Sequence, residues 1–282
     1  MEIGFYPGCS LNGTSSEYAQ STLALAKAFG VTPVEVSDWN CCGATAAHNL
    51  NHELAAALPA RVLALAQQQG FSEILVPCAA CYNRLSVTQH TLSGNEALQS
   101  DISEALQMPL SGNLRILNVM QFIEKYIAKE IPQKIVKPLT RKVACYYGCL
   151  LVRPHDVLQF DRTEDPQSMD TLMAAIGATP IDWGYKTECC GAGFSVSRTD
   201  VVAKLSGKIV QDAVERGAEA IIVACPMCQS NLDMRRPHID SYLKMKTTIP
   251  VMYVTQAIGL AVGLSRKELG LEKLFVTAKH VA

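Results

Sequence analysis

Short apolar runs alternate with amphipathic stretches along the whole chain. Apolar positions that recur every three or four residues predict helices, and short apolar runs bounded by turn residues predict strands. In the first half this pattern predicts strands over residues 3–6, 33–36 and 73–76 and helices over residues 15–29 and 48–69. The second half repeats the order, with strands over 143–147, 180–182 and 220–224 and helices over 167–176 and 199–216. This alternation is typical of an α/β fold with mostly parallel sheets.

The most apolar late stretch covers residues 250–264 and contains the polar residues Thr255 and Gln256. It is shorter than the roughly 20 residues that a membrane-spanning helix needs. We therefore expect a core strand followed by a helix here, and no direct insertion of the chain into a membrane.

Three short segments occur twice in the chain, in the same order. Tyr6-Pro7-Gly8-Cys9-Ser10-Leu11 matches Tyr146-Tyr147-Gly148-Cys149-Leu150-Leu151, Asn40-Cys41-Cys42-Gly43-Ala44 matches Glu188-Cys189-Cys190-Gly191-Ala192, and Ile74-Leu75-Val76-Pro77-Cys78 matches Ile221-Ile222-Val223-Ala224-Cys225. Such an internal repeat predicts a duplicated domain. The stretch 131–141, which contains Pro132 and Pro138, separates the copies. We predict one Rossmann-like domain over residues 1–138 and a second over residues 139–282.

The charge balance argues against two classes of partner. The net charge is -1 and 18% of the residues are charged, so the chain has no basic excess for a nucleic-acid backbone or an anionic membrane surface. The opening MEIGFYPGCS lacks the basic segment, apolar stretch and cleavage site of a secretory signal. We expect a cytoplasmic protein that binds no nucleic acid.

Cysteine is the residue type that stands out. The 11 cysteines fall into two sets, which are Cys9, Cys41, Cys42, Cys78, Cys81 and Cys145, Cys149, Cys189, Cys190, Cys225, Cys228. An odd number of cysteines in a chain without an export signal disfavours a disulfide scaffold and favours metal or redox chemistry. The cysteine motifs follow predicted strands, and the carboxyl ends of parallel strands meet at one edge of a sheet. Five cysteines are therefore expected to converge in each half.

Five convergent thiolates exceed the four ligands that a tetrahedral zinc ion or a conventional cubane cluster uses. Neighbouring cysteines such as Cys41 and Cys42 point apart, which suits a centre with several metal ions. The number of ligands and the softness of thiolate favour iron-sulfur clusters, and structural zinc is the alternative.

The two motif sets resemble the cysteine-rich CCG domain in tandem, as found in the B-type subunit of heterodisulfide reductase. The motifs are Cys9, Cys41-Cys42-Gly43 and Pro77-Cys78-x2-Cys81, and then Cys149, Cys189-Cys190-Gly191 and Cys225-x2-Cys228. The resemblance covers essentially the whole chain. It implies two 4Fe-4S clusters of the non-cubane type, one held by the five matching cysteines of each domain, facing each other across the domain interface. It also implies reductive cleavage of a small-molecule disulfide, or the reverse oxidation of thiols.

The sequence has no Cys-x2-Cys-x2-Cys-x3-Cys run of the ferredoxin kind, so electrons are expected to arrive from another subunit. The resemblance implies a ferredoxin-like iron-sulfur subunit of the C type and a flavin-containing subunit of the A type, as in electron-bifurcating complexes. Related tandem modules occur in subunits for lactate, glycolate and glycerol 3-phosphate oxidation and in thiol-fumarate and succinate-quinone systems. An electron-transfer module without disulfide chemistry is therefore the second hypothesis.

A few other side chains are candidates for supporting roles. His48, His52 and His155 follow cysteine motifs and are candidates to protonate a departing thiolate, although surface histidines are the simpler interpretation. Arg153 is a candidate to attract an anionic disulfide. Cys145 lies outside the repeat and is expected to be a buried structural thiol.

Overall fold

The computed structural model describes residues 1–44, 47–111 and 114–281, and these residues form two four-stranded sheets with helices. The first half contains, in chain order, β1 (Glu2–Phe5), α1 (Gly8–Asn12), α2 (Ser16–Ala28), β2 (Thr32–Glu35), α3 (Ala47–Leu50), α4 (His52–Gln68), β3 (Glu73–Leu75), α5 (Ala79–Ser93), α6 (Glu96–Leu106), β4 (Arg115–Leu117), α7 (Val119–Tyr126) and α8 (Ile131–Lys134). The second half contains β5 (Lys142–Tyr146), α9 (His155–Leu158), α10 (Ser168–Ala175), β6 (Thr179–Pro180), α11 (Thr199–Glu215), β7 (Ala220–Val223), α12 (Pro226–Gln229), α13 (Arg236–Leu243), β8 (Val251–Tyr253) and α14 (Val254–Ala261). A π-helical turn, Ser230–Met234, joins α12 to α13.

The two sheets have the same topology. The strand orders are β2-β1-β3-β4 and β6-β5-β7-β8, and every neighbouring pair is parallel. In each sheet the chain runs from an inner strand to the edge strand beside it. It then crosses to the other inner strand and ends at the opposite edge strand. This confirms the predicted α/β fold with two similar halves and parallel sheets.

The inner strand β7 and its edge neighbour β8 are hydrophobic because they are covered on both faces. All four residues of β7, which reads Ala-Ile-Ile-Val, are buried, and β8 is buried along its whole length. Continuous apolar runs of this kind are typical of strands in parallel sheets. The predicted strand and helix over residues 250–264 are confirmed as β8 and α14.

Two parts of the first half differ from the sequence pattern. The helix predicted over residues 48–69 is two helices, because Asn51 has an extended backbone and its side chain accepts a hydrogen bond from the Leu54 amide at the start of α4. The pattern also missed α5, α6, β4 and α7. Strand β4 has only three residues, which is too short to show a period of two.

The halves contact each other along α2 and α14, which pack together. The segment that connects the halves forms hydrogen bonds with each of them. Lys134 Nζ donates to the Ala28 carbonyl of the first half at 2.8 Å, and the Val136 amide donates to the Ala261 carbonyl of the second half at 2.8 Å. The predicted boundary near Pro138 falls in this segment and stays a prediction. Within the described ranges, no helix is long and apolar enough to cross a bilayer.

Candidate metal centres

The cysteine motifs lie at the carboxyl ends of three neighbouring strands in each sheet. In the first half Cys9 follows β1, the pair Cys41-Cys42 follows β2, and Cys78 follows β3. Because β1 lies between β2 and β3, these loops flank the point where the chain changes direction across the sheet. Open parallel sheets bind their ligands at this point. The motifs of the second half occupy the same positions after β5, β6 and β7.

In each half, one pair of thiols is buried and another lies nearer the surface. The inner pairs are Cys42 with Cys81, whose sulfurs are 3.3 Å apart, and Cys190 with Cys228, whose sulfurs are 3.6 Å apart. All four of these cysteines are buried. In the outer pair of the first half, the sulfurs of Cys9 and Cys41 are 3.9 Å apart, and both residues are exposed.

The outer pair of the second half is Cys149 with Cys189. Cys149 is half-buried and Cys189 is exposed. A hydrogen bond from Cys149, followed by one from the Gly191 amide 3.3 Å away, lowers the pKa of Cys189 to about 6. In the first half, hydrogen bonds from Cys42 and Cys9 lower the pKa of Cys41. In each half these hydrogen bonds favour the thiolate form of one outer sulfur, the form that binds metals.

A glycine before the first cysteine of each half leaves room for the inner sulfur. Gly8 and Gly148 have φ values of +63° and +71°. A Cβ atom on Gly8 would lie 2.9 Å from the Cys81 sulfur, and one on Gly148 would lie 3.0 Å from the Cys228 sulfur. The distance at Gly8 is shorter than real Cβ contacts and the distance at Gly148 is tighter than most of them, so both the positive φ and the nearby sulfur favour glycine at these positions.

Two tyrosines that the sequence analysis did not single out connect the motifs. The Tyr6 hydroxyl donates to the Asn40 carbonyl at 2.8 Å, and the Tyr146 hydroxyl donates to the Glu188 carbonyl at 2.6 Å. Each bond ties the end of the inner strand to the residue before the cysteine pair. The repeated Tyr-x-Gly-Cys pattern was the available signal for these residues.

The two cysteine sets meet where the halves contact each other. The buried Tyr18 hydroxyl lies 3.3 Å from the Pro77 carbonyl and 3.2 Å from the Ala224 carbonyl, which immediately precede Cys78 and Cys225. A hydrogen bond that the Cys78 thiol donates to the Cys225 sulfur, together with burial, raises the pKa of Cys78, so these two cysteines, one from each half, are in contact. The sites therefore face each other, as the fold prediction expected.

The Tyr18 ring is held in place by stacking. It lies 3.9 Å from the ring of Tyr253, measured between centroids, and the two planes differ by 4°. Tyr253 ends β8 in the second half. Tyr18 thus connects a helix of the first half to the sheet of the second half.

The other side chains that the sequence analysis proposed for supporting roles lie in different environments. Arg153 pairs with the exposed carboxylate of Glu164 at 2.8 Å, and His52 and His155 are exposed. The side chain of His48 lies outside the described part of the structure. Cys145 is fully buried on β5, and burial followed by the nearby Asp170 carboxylate raises its pKa.

The thiols of each half are arranged in close pairs. Across the described ranges, no three or more histidine, cysteine, aspartate or glutamate side chains are arranged to hold a single metal ion. The donor set nevertheless fits a centre with several metal ions, because each half offers five soft sulfur ligands around one strand-end crevice.

Comparisons with known proteins agree with this duplicated arrangement. A family model described as the cysteine-rich domain CCG matches residues 3–86 and again residues 143–233. The 8-methylmenaquinol:fumarate reductase membrane anchor subunit of Wolinella succinogenes is 29% identical over 280 residues, 98% of this chain and 98% of that protein. The B-type subunit of the Ferredoxin/F(420)H(2)-dependent CoB-CoM heterodisulfide reductase of Methanosarcina acetivorans is 27% identical over 279 residues, 96% of this chain and 93% of that protein.

A solved structure shares the fold. The crystal structure of a hypothetical protein from Helicobacter pylori superimposes with a TM-score of 0.83 at 13% sequence identity, covering 99% of this chain. This chain spans 53% of that structure. At this identity the likeness shows the fold alone.

Proposed function

Because this chain belongs to the cysteine-rich CCG domain family, which it matches twice, we propose that it is the disulfide-handling iron-sulfur subunit of a heterodisulfide reductase-like complex. The observation that carries the proposal is the meeting of two five-cysteine sets across one interface, where Tyr18 touches the residue before Cys78 and the residue before Cys225. Two facing sites match the two sulfur atoms of one disulfide. Two electrons and two protons convert a disulfide into two thiols.

The residues that would hold the two clusters are the ten cysteines of the repeated motifs. They are Cys9, Cys41, Cys42, Cys78 and Cys81 in one half and Cys149, Cys189, Cys190, Cys225 and Cys228 in the other. When bound, 4Fe-4S clusters of the non-cubane type supply single electrons and iron sites that accept sulfur ligands. A zinc ion would leave one thiol over in each half.

The exposure of the cysteines supports one side for the approach of a substrate. The inner cysteines Cys42, Cys81, Cys190 and Cys228 are buried, whereas Cys9, Cys41 and Cys189 are exposed. A small disulfide therefore enters along the outer cysteines. Arg153 is part of an ion pair with Glu164 and contributes to attracting an anionic disulfide only when that pair opens. His48, His52 and His155 remain candidates for proton donation to the product thiols.

Electrons reach this subunit from partner subunits in the cytoplasm. The chain has no ferredoxin-type cysteine run, and relatives that align over nearly its whole length are named as subunits of larger reductases. The partners proposed are a ferredoxin-like subunit of the C type and a flavin subunit of the A type, in an electron-bifurcating arrangement. The loops around the cysteine motifs are the proposed docking surface for the ferredoxin-like subunit.

One observation favours a second function. The Wolinella succinogenes relative is named as a subunit of a fumarate reductase, not of a disulfide reductase. The alternative is an electron-transfer module that passes electrons to or from another catalytic subunit without disulfide chemistry.

Anaerobic assays of the co-purified complex separate the two functions. The complex is supplied with a reduced viologen dye and either the CoB-CoM heterodisulfide or fumarate, and the visible and EPR spectra are recorded with and without free thiol. Disulfide turnover with a thiol-dependent spectral change supports the proposal. Reducible clusters that respond to no thiol, in a complex that turns over fumarate alone, support the alternative and contradict disulfide chemistry.

A further inference from the structure

The second half contains a side-chain amide that contacts a cysteine sulfur. Asn231 is fully buried within the π-helical turn Ser230–Met234. Its Nδ2 atom lies 3.2 Å from the Cys190 carbonyl oxygen and 3.6 Å from the Cys190 sulfur. Both contacts are within hydrogen-bonding range, so the amide donates toward the inner cysteine of the adjacent pair. π-Helical turns within helices are often found at functional sites.

The orientation of this amide is fixed by the Cys190 carbonyl. A carbonyl oxygen only accepts hydrogen bonds, so the NH2 group of Asn231, and not its oxygen, faces Cys190. On the other side, the Asn231 Oδ1 atom lies 2.9 Å from the Ser195 hydroxyl, which is also 2.9 Å from the Ala192 carbonyl. The loop that carries Ser195 is itself held, since Arg235 Nη2 donates to the Ser195 carbonyl at 2.8 Å.

The first half has no matching contact. The position equivalent to Asn231, three residues after the last cysteine of the motif, is Arg84 within the regular helix α5. The Asn83 amide donates to the carbonyls of Leu150 and Arg153, and the Asn40 amide donates to carbonyls only. Among the residues that the structure describes, no side-chain N–H of the first half donates to a cysteine sulfur.

We propose that Asn231 is a positioning residue that hydrogen-bonds the sulfur ligand Cys190 and makes the second centre easier to reduce than the first. The inference rests on the proposed function, because it requires both sites to hold clusters. Reduction adds negative charge that is shared with the sulfur ligands, and an N–H donor to that sulfur stabilises the reduced form. The duplicated sites are therefore unequal, and electrons occupy the second half first.

The test is an anaerobic redox titration, followed by EPR, of the wild-type complex and two variants. Asn231→Leu removes the donor and keeps the branched shape and number of heavy atoms of the side chain, and Arg84→Leu is the matched control at the equivalent position. Asn231→Leu is expected to lower the ratio of reduced to oxidised second centre about tenfold at a fixed potential. For one electron this corresponds to a shift of the reduction potential of the second centre by about 59 mV toward more negative values. The reduction potential of the first centre is expected to be unchanged in both variants.

A second measurement covers the case in which Asn231→Leu fails to assemble its centre. Pulsed EPR of the wild-type complex with ¹⁵N in the asparagine side chains is expected to show a nitrogen coupling at the second centre and none of that size at the first. The inference would be overturned if the second centre had the same reduction potential in wild type and Asn231→Leu. It would also be overturned if the second centre showed no coupling to an asparagine nitrogen.

Iron and sulfide analysis of the same samples separates two kinds of failure. Protein without two iron-sulfur centres contradicts the proposed function itself. Two full centres that are insensitive to the Asn231 amide contradict only this inference.

Discussion

Each half of the molecule buries one cysteine of its adjacent pair and exposes the other. Cys42 and Cys190 are each 2% exposed, whereas Cys41 and Cys189 are at the surface. The split arises because neighbouring residues in an extended loop point in opposite directions. The buried member contacts the last cysteine of the same half, so its loss is expected to damage that half alone.

Serine substitutions of the buried members test whether the two sites are independent. Cys42→Ser and Cys190→Ser are each expected to remove about half of the bound iron and sulfide, because the proposed function makes each of these cysteines an inner ligand of one of two clusters. Iron and acid-labile sulfide are measured on anaerobically purified protein. Cys145→Ser is the matched control, since Cys145 is buried but lies outside both sets, and it is expected to retain the full content. Loss of both centres from either single change would contradict the two-site account.

At the scale of elements, the turns after the inner strands fix the sulfur positions. Strand β1 is joined by Tyr6 and Pro7 to helix α1, which begins at Gly8, and Gly148 follows β5 at the matching position of the repeat. The left-handed backbone of these glycines directs the following cysteine toward the crevice, and their missing side chain leaves room for the inner sulfur. Backbone strain and sulfur contact are separate effects, and substitutions can distinguish them.

Gly8→Ala and Gly30→Ala form a matched pair for this purpose. Both glycines have positive φ, +63° and +72°, but only Gly8 has a sulfur within 3 Å of the added Cβ, and Gly30 has no atom within 4 Å. Each variant is expected to lose about 1–2 kcal/mol of stability from backbone strain, measured by urea unfolding. Only Gly8→Ala is expected to lose the iron of the first half as well. Equal iron content in the two variants would show that the sulfur contact does not matter.

Many of the strands and helices, and the positions of the cysteine motifs, could be predicted from the sequence. The repeat located all ten motif cysteines, and the apolar pattern located β1, β3, α2 and α11 to within one or two residues. The break at Asn51 and the short strand β4 were missed, because a single cap and three residues leave no periodic signal. The contacts of Gly8 with Cys81 and of Asn231 with Cys190 depend on chain segments that meet only in the folded protein. No local pattern encodes them.

At the scale of the whole molecule, Tyr18 forms a buried contact between the two halves. The Tyr18 hydroxyl is placed between the carbonyls of Pro77 and Ala224, and its ring stacks on Tyr253. A hydroxyl that lies against both cysteine turns fixes the position of one site relative to the other. Its removal is therefore expected to affect both sites, unlike the changes described above.

Tyr18→Phe keeps the ring and removes the hydroxyl. The variant is expected to lose about 1–3 kcal/mol of stability in urea unfolding, because the single hydroxyl proton that faces two buried carbonyls is removed. It is also expected to alter the EPR signals of both centres. Tyr6→Phe is the control, because the Tyr6 hydroxyl donates to the Asn40 carbonyl, which belongs to the same half of the molecule. A Tyr18→Phe spectrum changed at one centre alone would show that the hydroxyl does not link the sites.

Metal analysis of the wild-type chain, purified without air, tests the central claim most directly. Two four-iron clusters predict about eight irons and a comparable amount of acid-labile sulfide per chain. Two zinc ions per chain and no acid-labile sulfide would contradict the account.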